Sequence, residues 1–451
     1  MTPRIPARER TAILNSLAAG VVPRIGLQHI QVGRKAEVAA LLEDLARIEE
    51  GGAAMRFVVG RFGAGKSFFL YLLQIVALER KFLVLRADIT TQRRLHATNG
   101  EARGLYSELM RNLSTRSRSE GGALGSVVER WVGELEHDLP DDGRSPASVE
   151  QAISQRLKPL LEHVGGFDFV SVLKAYYRGH CEHNEELQNA ALKWLRGEYT
   201  TKTQARQDLG VRSIIDDDSV YDHLKLFAAF ANLAGYKGVL VCLDELVVLS
   251  HRLNNRTARN NNYEQILRML NDCLQGSVSG LGFIFAATDE CLTDMRRGLF
   301  SYEALASRLA ANRFAAPGMV DLHGPVLHLQ TLTPEDCYVL LHNVRRVHAG
   351  GALDEHHYLP DEAIVAYLQS CAQRMGAAFY QTPRETIKDF VGLLNVLQQN
   401  PEADWRTLLG QIKTTSSDVQ TEDPALVESV DDAGDDTPAP LVNDDLSSFR
   451  L

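Results

Sequence analysis

GRFGAGKS, residues 60–67, follows the apolar run MRFVV (55–59) and leads into KSFFLYLLQIVALER (66–80). The run before it reads as a buried strand and the run after it as a helix. Between them the motif G-x-x-x-x-G-K-[ST] stands in the strand–loop–helix context its chemistry requires. Gly60, Gly63 and Gly65 allow a tight loop whose backbone N–H groups converge on phosphate oxygens. Arg61, Phe62 and Ala64 complete the loop, and Phe68 follows it in the helix. Lys66 supplies charge to the outer phosphates, Ser67 a hydroxyl for Mg²⁺, and the helix its positive dipole end. The loop predicts a site for ATP and Mg²⁺.

Outward from the loop, KFLVLRAD (81–88), GVLVCLDE (238–245), LGFIFAATD (281–289) and PVLHLQTL (325–332) read as four further strands. Apolar runs separated by helical patterns predict an α/β fold with a five-stranded parallel sheet covered on both faces. Helical periodicity marks 12–22 and 35–48. Lys66 and Asp244 lie far beyond the roughly 30 residues of a simple βαβ unit. Residues 89–237 are therefore a long insertion after the second strand, helical by pattern, with FVSVLKAYYRGH and NAALKWLRGEY as examples. The organisation expected is an N-terminal helix and nucleotide-flanking segment (1–34), a P-loop core (35–332) that contains the insertion, a C-terminal all-helical lid (333–413) and an acidic tail (414–451).

The chain of 451 residues carries a net charge of −10. Ten acidic residues against Arg450 place −9 of it from Asp418 to Leu451, so the body is near neutral. Overall acidity therefore says nothing against nucleic-acid binding. The tail is poor in large apolar residues and reads as disordered. MTPRIPARER lacks the apolar segment of a secretory signal, and no stretch has the length and apolarity of a membrane span. Six cysteines without a CxxC pair read as reduced thiols, and the location expected is cytoplasmic.

GVLVCLDE ends in two carboxylates, Asp244 for Mg²⁺ and Glu245 to polarise an attacking water. Thr288 ends the fourth strand, where a hydroxyl can touch the γ-phosphate and that water; a threonine that merely ends a strand is the other reading. Arg308 and Arg313, in ALASRLAANRF, are either arginine fingers reaching a neighbouring subunit's nucleotide or solvated, salt-bridged side chains. Arg384, in QTPRETI, opens a lid helix from which it can reach back to the γ-phosphate. Arg93, Arg94, Arg103, Arg111, Arg116 and Arg118 face only Glu101 and Glu108 within 91–118, a net +4. That excess suits a DNA backbone, or is a solvated helical face. Arg252, Arg256 and Arg259 carry the same two readings.

The strand-end carboxylates with Thr288, the SRL arginine and the TPR arginine resemble the AAA+ superfamily, in particular its origin-recognition clade. The resemblance implies sensor 1 at Thr288, the arginine finger at Arg308 and sensor 2 at Arg384. It also implies that Val32, Gly33 and Arg34 lie against the adenine. VPRIGLQHIQVGR, GRFGAGKSFFL, ALKWLRGE with ARQDLGV, and CLDELVVL resemble a narrower group, the ATP-binding, BrxD-like proteins of bacterial BREX phage-defence systems. This likeness runs along the whole chain apart from the tail. It implies an ATPase coupling nucleotide state to oligomerisation, and to double-stranded DNA or a helicase or methyltransferase of the same system. Initiators usually carry a winged helix after the lid; few foldable residues follow about residue 400 here, so DNA binding through that module is not expected. Two alternatives stay open: a STAND-type signalling switch without DNA contact, and a helicase-loader or transposition-type regulator.

Overall fold

The computed structural model describes residues 4–140, 145–314, 321–351, 359–375 and 383–411. The acidic tail and the last residues of the expected lid lie outside them. α1 (Ala7–Ala18) and α2 (Lys35–Glu49) lead to β1 (Ala53–Val59), α3 (Lys66–Glu79) and β2 (Leu83–Asp88). Seven helices fill the insertion: α4 (Glu101–Arg111), α5 (Leu124–Asp138), α6 (Pro146–Arg156), α7 (Gly166–Cys181), α8 (Glu185–Leu195), α9 (Lys202–Leu209) and α10 (Val220–Leu233). β3 (Val239–Asp244), α11 (Arg256–Leu274), β4 (Leu281–Ala287), α12 (Asp289–Thr293), α13 (Glu303–Leu309) and β5 (Val326–His328) complete the sheet region. α14 (Pro334–His348), α15 (Asp361–Met375), α16 (Pro383–Gln399) and α17 (Trp405–Gln411) follow.

All five strands are parallel, in the order β2-β3-β4-β1-β5. The connection from β1 runs toward one edge of the sheet, to β2, and that from β4 toward the other, to β5. Strand order reverses where β1 and β4 lie side by side, and a crevice opens beyond the carboxyl ends of such strands. β1 is buried along its whole length, as a central strand covered on both faces must be. The expected fifth strand is cut to three residues, because pairing with β1 ends where β1 does, at Val59 opposite His328. The architecture is that of a P-loop NTPase-like α/β protein.

Leu41 and Leu45 of α2 and Leu70 and Leu73 of α3 pack on one face of the sheet against Val58, Leu240 and Ile284. On the other face, Phe57, Leu85, Phe283 and Phe285 continue into α10, α11 and the insertion helices as a single apolar core. The insertion, expected as an added lobe, is thus packed through its own hydrophobic residues onto the sheet. Edge-on contacts of Phe230 with Trp131 (5.3 Å) and Phe169 (5.4 Å) extend that core outward from α10.

A third core joins the two ends of the chain. Ile13 and Leu17 of α1 pack with Leu341, Val344, Phe390 and Leu394 of the C-terminal helices, and Phe68 and Tyr71 of α3 lie against this cluster. The N-terminal segment and the lid helices, expected as separate units, bury one core between them. α1 begins after Pro6, well before the expected residue 12, and ends short of Gly20, which takes φ +69°. Beneath the sheet, Arg56 of β1 makes a two-pronged pair with Asp44 of α2 (2.5 and 2.9 Å) and donates to the carbonyls of Leu322 and Gly324 ahead of β5.

Candidate functional site

The loop after β1 turns through Gly63 (φ +77°) and Gly65 (φ +89°), backbone conformations that a Cβ strains. Its cation is folded back: Lys66 Nζ donates to the carbonyl oxygens of Gly60 (2.8 Å) and Arg61 (3.0 Å). Burial pushes this ammonium below its ordinary pKa, against the nearby carboxylates that support its charge. Ser67 Oγ donates to Asp244 Oδ2 at 2.6 Å, joining the first turn of α3 to the end of β3. A hydroxyl beside a carboxylate is the oxygen donor set a hard divalent cation takes, so the residues fit Mg²⁺.

Asp244 Oδ1 accepts from the backbone N–H of Glu245 at 2.9 Å, and Glu245 itself stands at φ +60°. A non-glycine residue held in the left-handed region is sparsely populated and clusters at functional sites. Here it turns the chain off the strand directly after the two carboxylates. Burial, then the neighbouring Asp244 charge, raises the Glu245 pKa, and the same two causes in the same order raise that of Asp88. Asp88 pairs in register with Asp244 across β2 and β3. Three carboxylates therefore crowd one end of the sheet.

These groups line a cavity of about 490 Å³ with Thr288 and Arg384. Thr288 Oγ1 accepts from the N–H of Cys291 at 3.2 Å, so it caps α12 while facing the cavity. Arg384, at the start of α16, stacks its guanidinium 4.7 Å over the Phe62 ring of the loop. A small apolar crevice of about 90 Å³ adjoins the loop between Val32, Gly33, Phe68, Leu340 and Ile387. A Cβ on Gly33 would meet the Asp336 carboxylate at 3.0 Å. Arg34 donates to the Ala64 carbonyl at 2.6 Å, which ties this segment to the loop.

Arg308 and Arg313 do not line the cavity. Arg308 is exposed and bonds Asn271 Oδ1 (2.7 Å) and the Ala304 carbonyl (2.9 Å) of its own chain. Arg313 is exposed, next to Phe314, which is 89% exposed. The six insertion arginines are spread over a loop, α4 and the turn after it, each with a partner in the chain. Arg93 pairs with Glu108 (3.1 Å), Arg94 with Glu101 (2.9 Å), Arg111 with Glu198 (3.0 Å) and Arg116 with Glu79 (3.1 Å). Arg103 donates to the Tyr199 carbonyl (2.7 Å) and Arg118 to that of Gly122 (2.9 Å).

Two cavity residues were not foreseen as site residues. Asp88 ends an apolar strand as Asp244 does, but only the strand order shows that the two are neighbours. Arg252 stood in the sequence as part of a basic cluster, and the fold separates it from Arg256 and Arg259 by placing it in the cavity wall. None of the six cysteines is joined in a disulfide. Among the described residues no helix is long and apolar enough to cross a membrane.

Residues 5–413 match the family described as BREX system ATP-binding protein BrxC/D. No curated protein matches the chain.

Proposed function

The chain belongs to the BREX system ATP-binding protein family, and on that premise we propose that it binds and hydrolyses ATP at the cavity above β1, β3 and β4. The observation that carries this reading is the Ser67–Asp244 bond (2.6 Å) with Lys66 and Glu245 in the same cavity wall. Ser67 and Asp244 would hold Mg²⁺, which would neutralise charge on the outer phosphates. Lys66 leaves its carbonyl partners for the phosphates, and the loop N–H groups and the α3 dipole bind the remaining oxygens. Glu245 accepts a proton from the water that attacks the γ-phosphorus, giving ADP and phosphate. Its raised pKa brings it nearer the range in which a carboxylate works as a base. Thr288 orients that water. Arg384 moves from Phe62 to the γ-phosphate, and the Val32–Arg34 segment covers the adenine in the adjoining crevice.

The C-terminal helices act as an AAA+-like lid, coupled to the N-terminal helix through their shared core. Arg308 and Arg313 serve a neighbouring copy; their exposed place off the cavity supports this, since neither reaches its own nucleotide. The setting is the cytoplasm and the partners are double-stranded DNA, or a helicase or methyltransferase of the same defence system. For DNA, the exposed Arg111, Arg116 and Arg118 are the contacts, because surface pairs contribute only about 0–1 kcal/mol and exchange readily for phosphate.

Glu245→Gln tests the catalytic core. The variant keeps its affinity for a fluorescent ATP analogue, while phosphate release falls about 100- to 1,000-fold, the range for losing a positioned base. Turnover at the wild-type rate in that variant would remove Glu245 from the mechanism.

A further inference from the structure

Arg252 reaches the cavity by an unusual route. After Glu245 the chain does not enter an α-helix but closes a single wide turn of π type, Val248–Arg252. Such turns are rare and concentrate at functional sites. This one is fixed from both sides. Ser250, fully buried, donates to the Val247 carbonyl at 2.9 Å and lies 2.7 Å from His251 Nδ1. His251 Nε2 stands 3.4 Å from Asp294 Oδ2, directly after α12, the helix that Thr288 caps. The turn that bears Arg252 is thus bound to the carboxylate strand at one end and to the element behind Thr288 at the other.

Among the described residues three cations line the cavity, each on a different element: Lys66 at the start of α3, Arg384 on α16 and Arg252 on the turn after β3. Arg252 lines the cavity together with Glu245 and Thr288. The loop amides account for the inner phosphates and Lys66 for the outer ones, and the space beside Glu245 and Thr288 is where the terminal phosphate belongs. A guanidinium presents a planar fork matched to phosphate oxygens.

We infer that Arg252 is a same-chain cation for the terminal phosphate and makes the site prefer a nucleoside triphosphate to the diphosphate. The inference rests on the ATP-binding reading of the cavity. The test titrates the full-length chain with fluorescent ATP and ADP analogues in Mg²⁺, for wild type, Arg252→Ala and Arg252→Lys, with thermal melting of each. Arg252→Ala should lose about 10- to 100-fold in affinity for the triphosphate, the worth of a charge-assisted bond, and change by less than about threefold for the diphosphate. Arg252→Lys should recover part of the triphosphate affinity, which a purely structural role would not produce. Equal losses for both nucleotides, or no loss, overturn the inference. If Arg252→Ala melts before it can be titrated, Arg252→Lys decides: an unchanged preference for triphosphate overturns the inference, and a reduced one supports it. A wild type that binds neither analogue, with Lys66→Ala indistinguishable from it, removes the ATP-binding reading and this inference together.

Discussion

At the carboxyl edge of the sheet, Asp88, Asp244 and Glu245 stand close enough that burial and mutual repulsion raise two of their pKa values. Lys66 beside them is held by two backbone carbonyls. In the insertion, six arginines each end on a carboxylate or carbonyl of their own chain, and Arg94 with Glu101 does so half-buried. The cavity keeps charge in an arrangement that costs stability at neutral pH. A carboxylate with a raised folded pKa favours the fold below its unfolded value and loses that contribution as pH rises through the folded one. The insertion uses charge to fasten its elements. The cavity gathers like charges, whereas the insertion pairs opposite ones.

The largest effect follows from the cavity side. Lys66→Ala removes a cation that bonds the Gly60 and Arg61 carbonyls of its own loop, so its loss falls on the ligand. Affinity for an ATP analogue should drop about 100-fold or more, while the melting temperature stays within roughly 2–4 °C, the shift of about 1 kcal/mol in a domain of 150–250 residues. A large loss of stability with unchanged affinity would reverse the comparison.

The same contrast explains what the sequence could show. The glycine-rich loop between strand and helix, both strand-end carboxylates and all five strands were legible, since each is a local pattern: a motif of fixed spacing, or an apolar run ending in a polar residue. The placement of Arg384 on Phe62 was legible only as a direction, from its position at the start of a lid helix. Asp88 was not legible, because its meaning lies in the register with Asp244, residues 156 positions away in sequence yet adjacent in the sheet. Nor was the fastening of the insertion. Asn262, fully buried on α11, accepts from the His96 N–H (2.9 Å) and donates to the His96 carbonyl (3.1 Å), completing a backbone pair across 166 residues. No periodicity announces such a bond. A charge count over 91–118 likewise sees arginines and not Glu198 or Glu79, which come from elsewhere in the chain.

Arg94→Ala tests the fastening role. It strips Glu101 of its partner at a site where each side chain is about 15% exposed, and should cost about 1–3 kcal/mol at pH 7 with nucleotide affinity unchanged. Burial acts to raise the Glu101 pKa, but backbone N–H donors and Arg94 bring it below 4.5 on balance. A depressed folded pKa stabilises above the unfolded value and loses that contribution as pH falls through the folded one. The gap between wild type and variant in urea melts should therefore narrow as the pH drops below 4.5. A pH-independent gap would point to lost packing and not to the pair.

The smallest effect, and the one that most sharpens the comparison, concerns Arg111, Arg116 and Arg118. Their pairs are exposed, so each guanidinium can exchange its protein partner for a phosphate at little cost. Arg94 and Arg103 cannot do so without loosening α4. If duplex DNA is a partner, a variant with the three exposed arginines changed to Ala should bind it more weakly at low salt. The slope of log affinity against log salt should become shallower by up to about 2.7, or 0.9 for each phosphate contact removed. Its melting curve should match wild type, whereas Arg94→Ala should melt earlier and keep the wild-type slope. Equal slopes in all three proteins would place the whole arginine set with Asn262 among the fastenings.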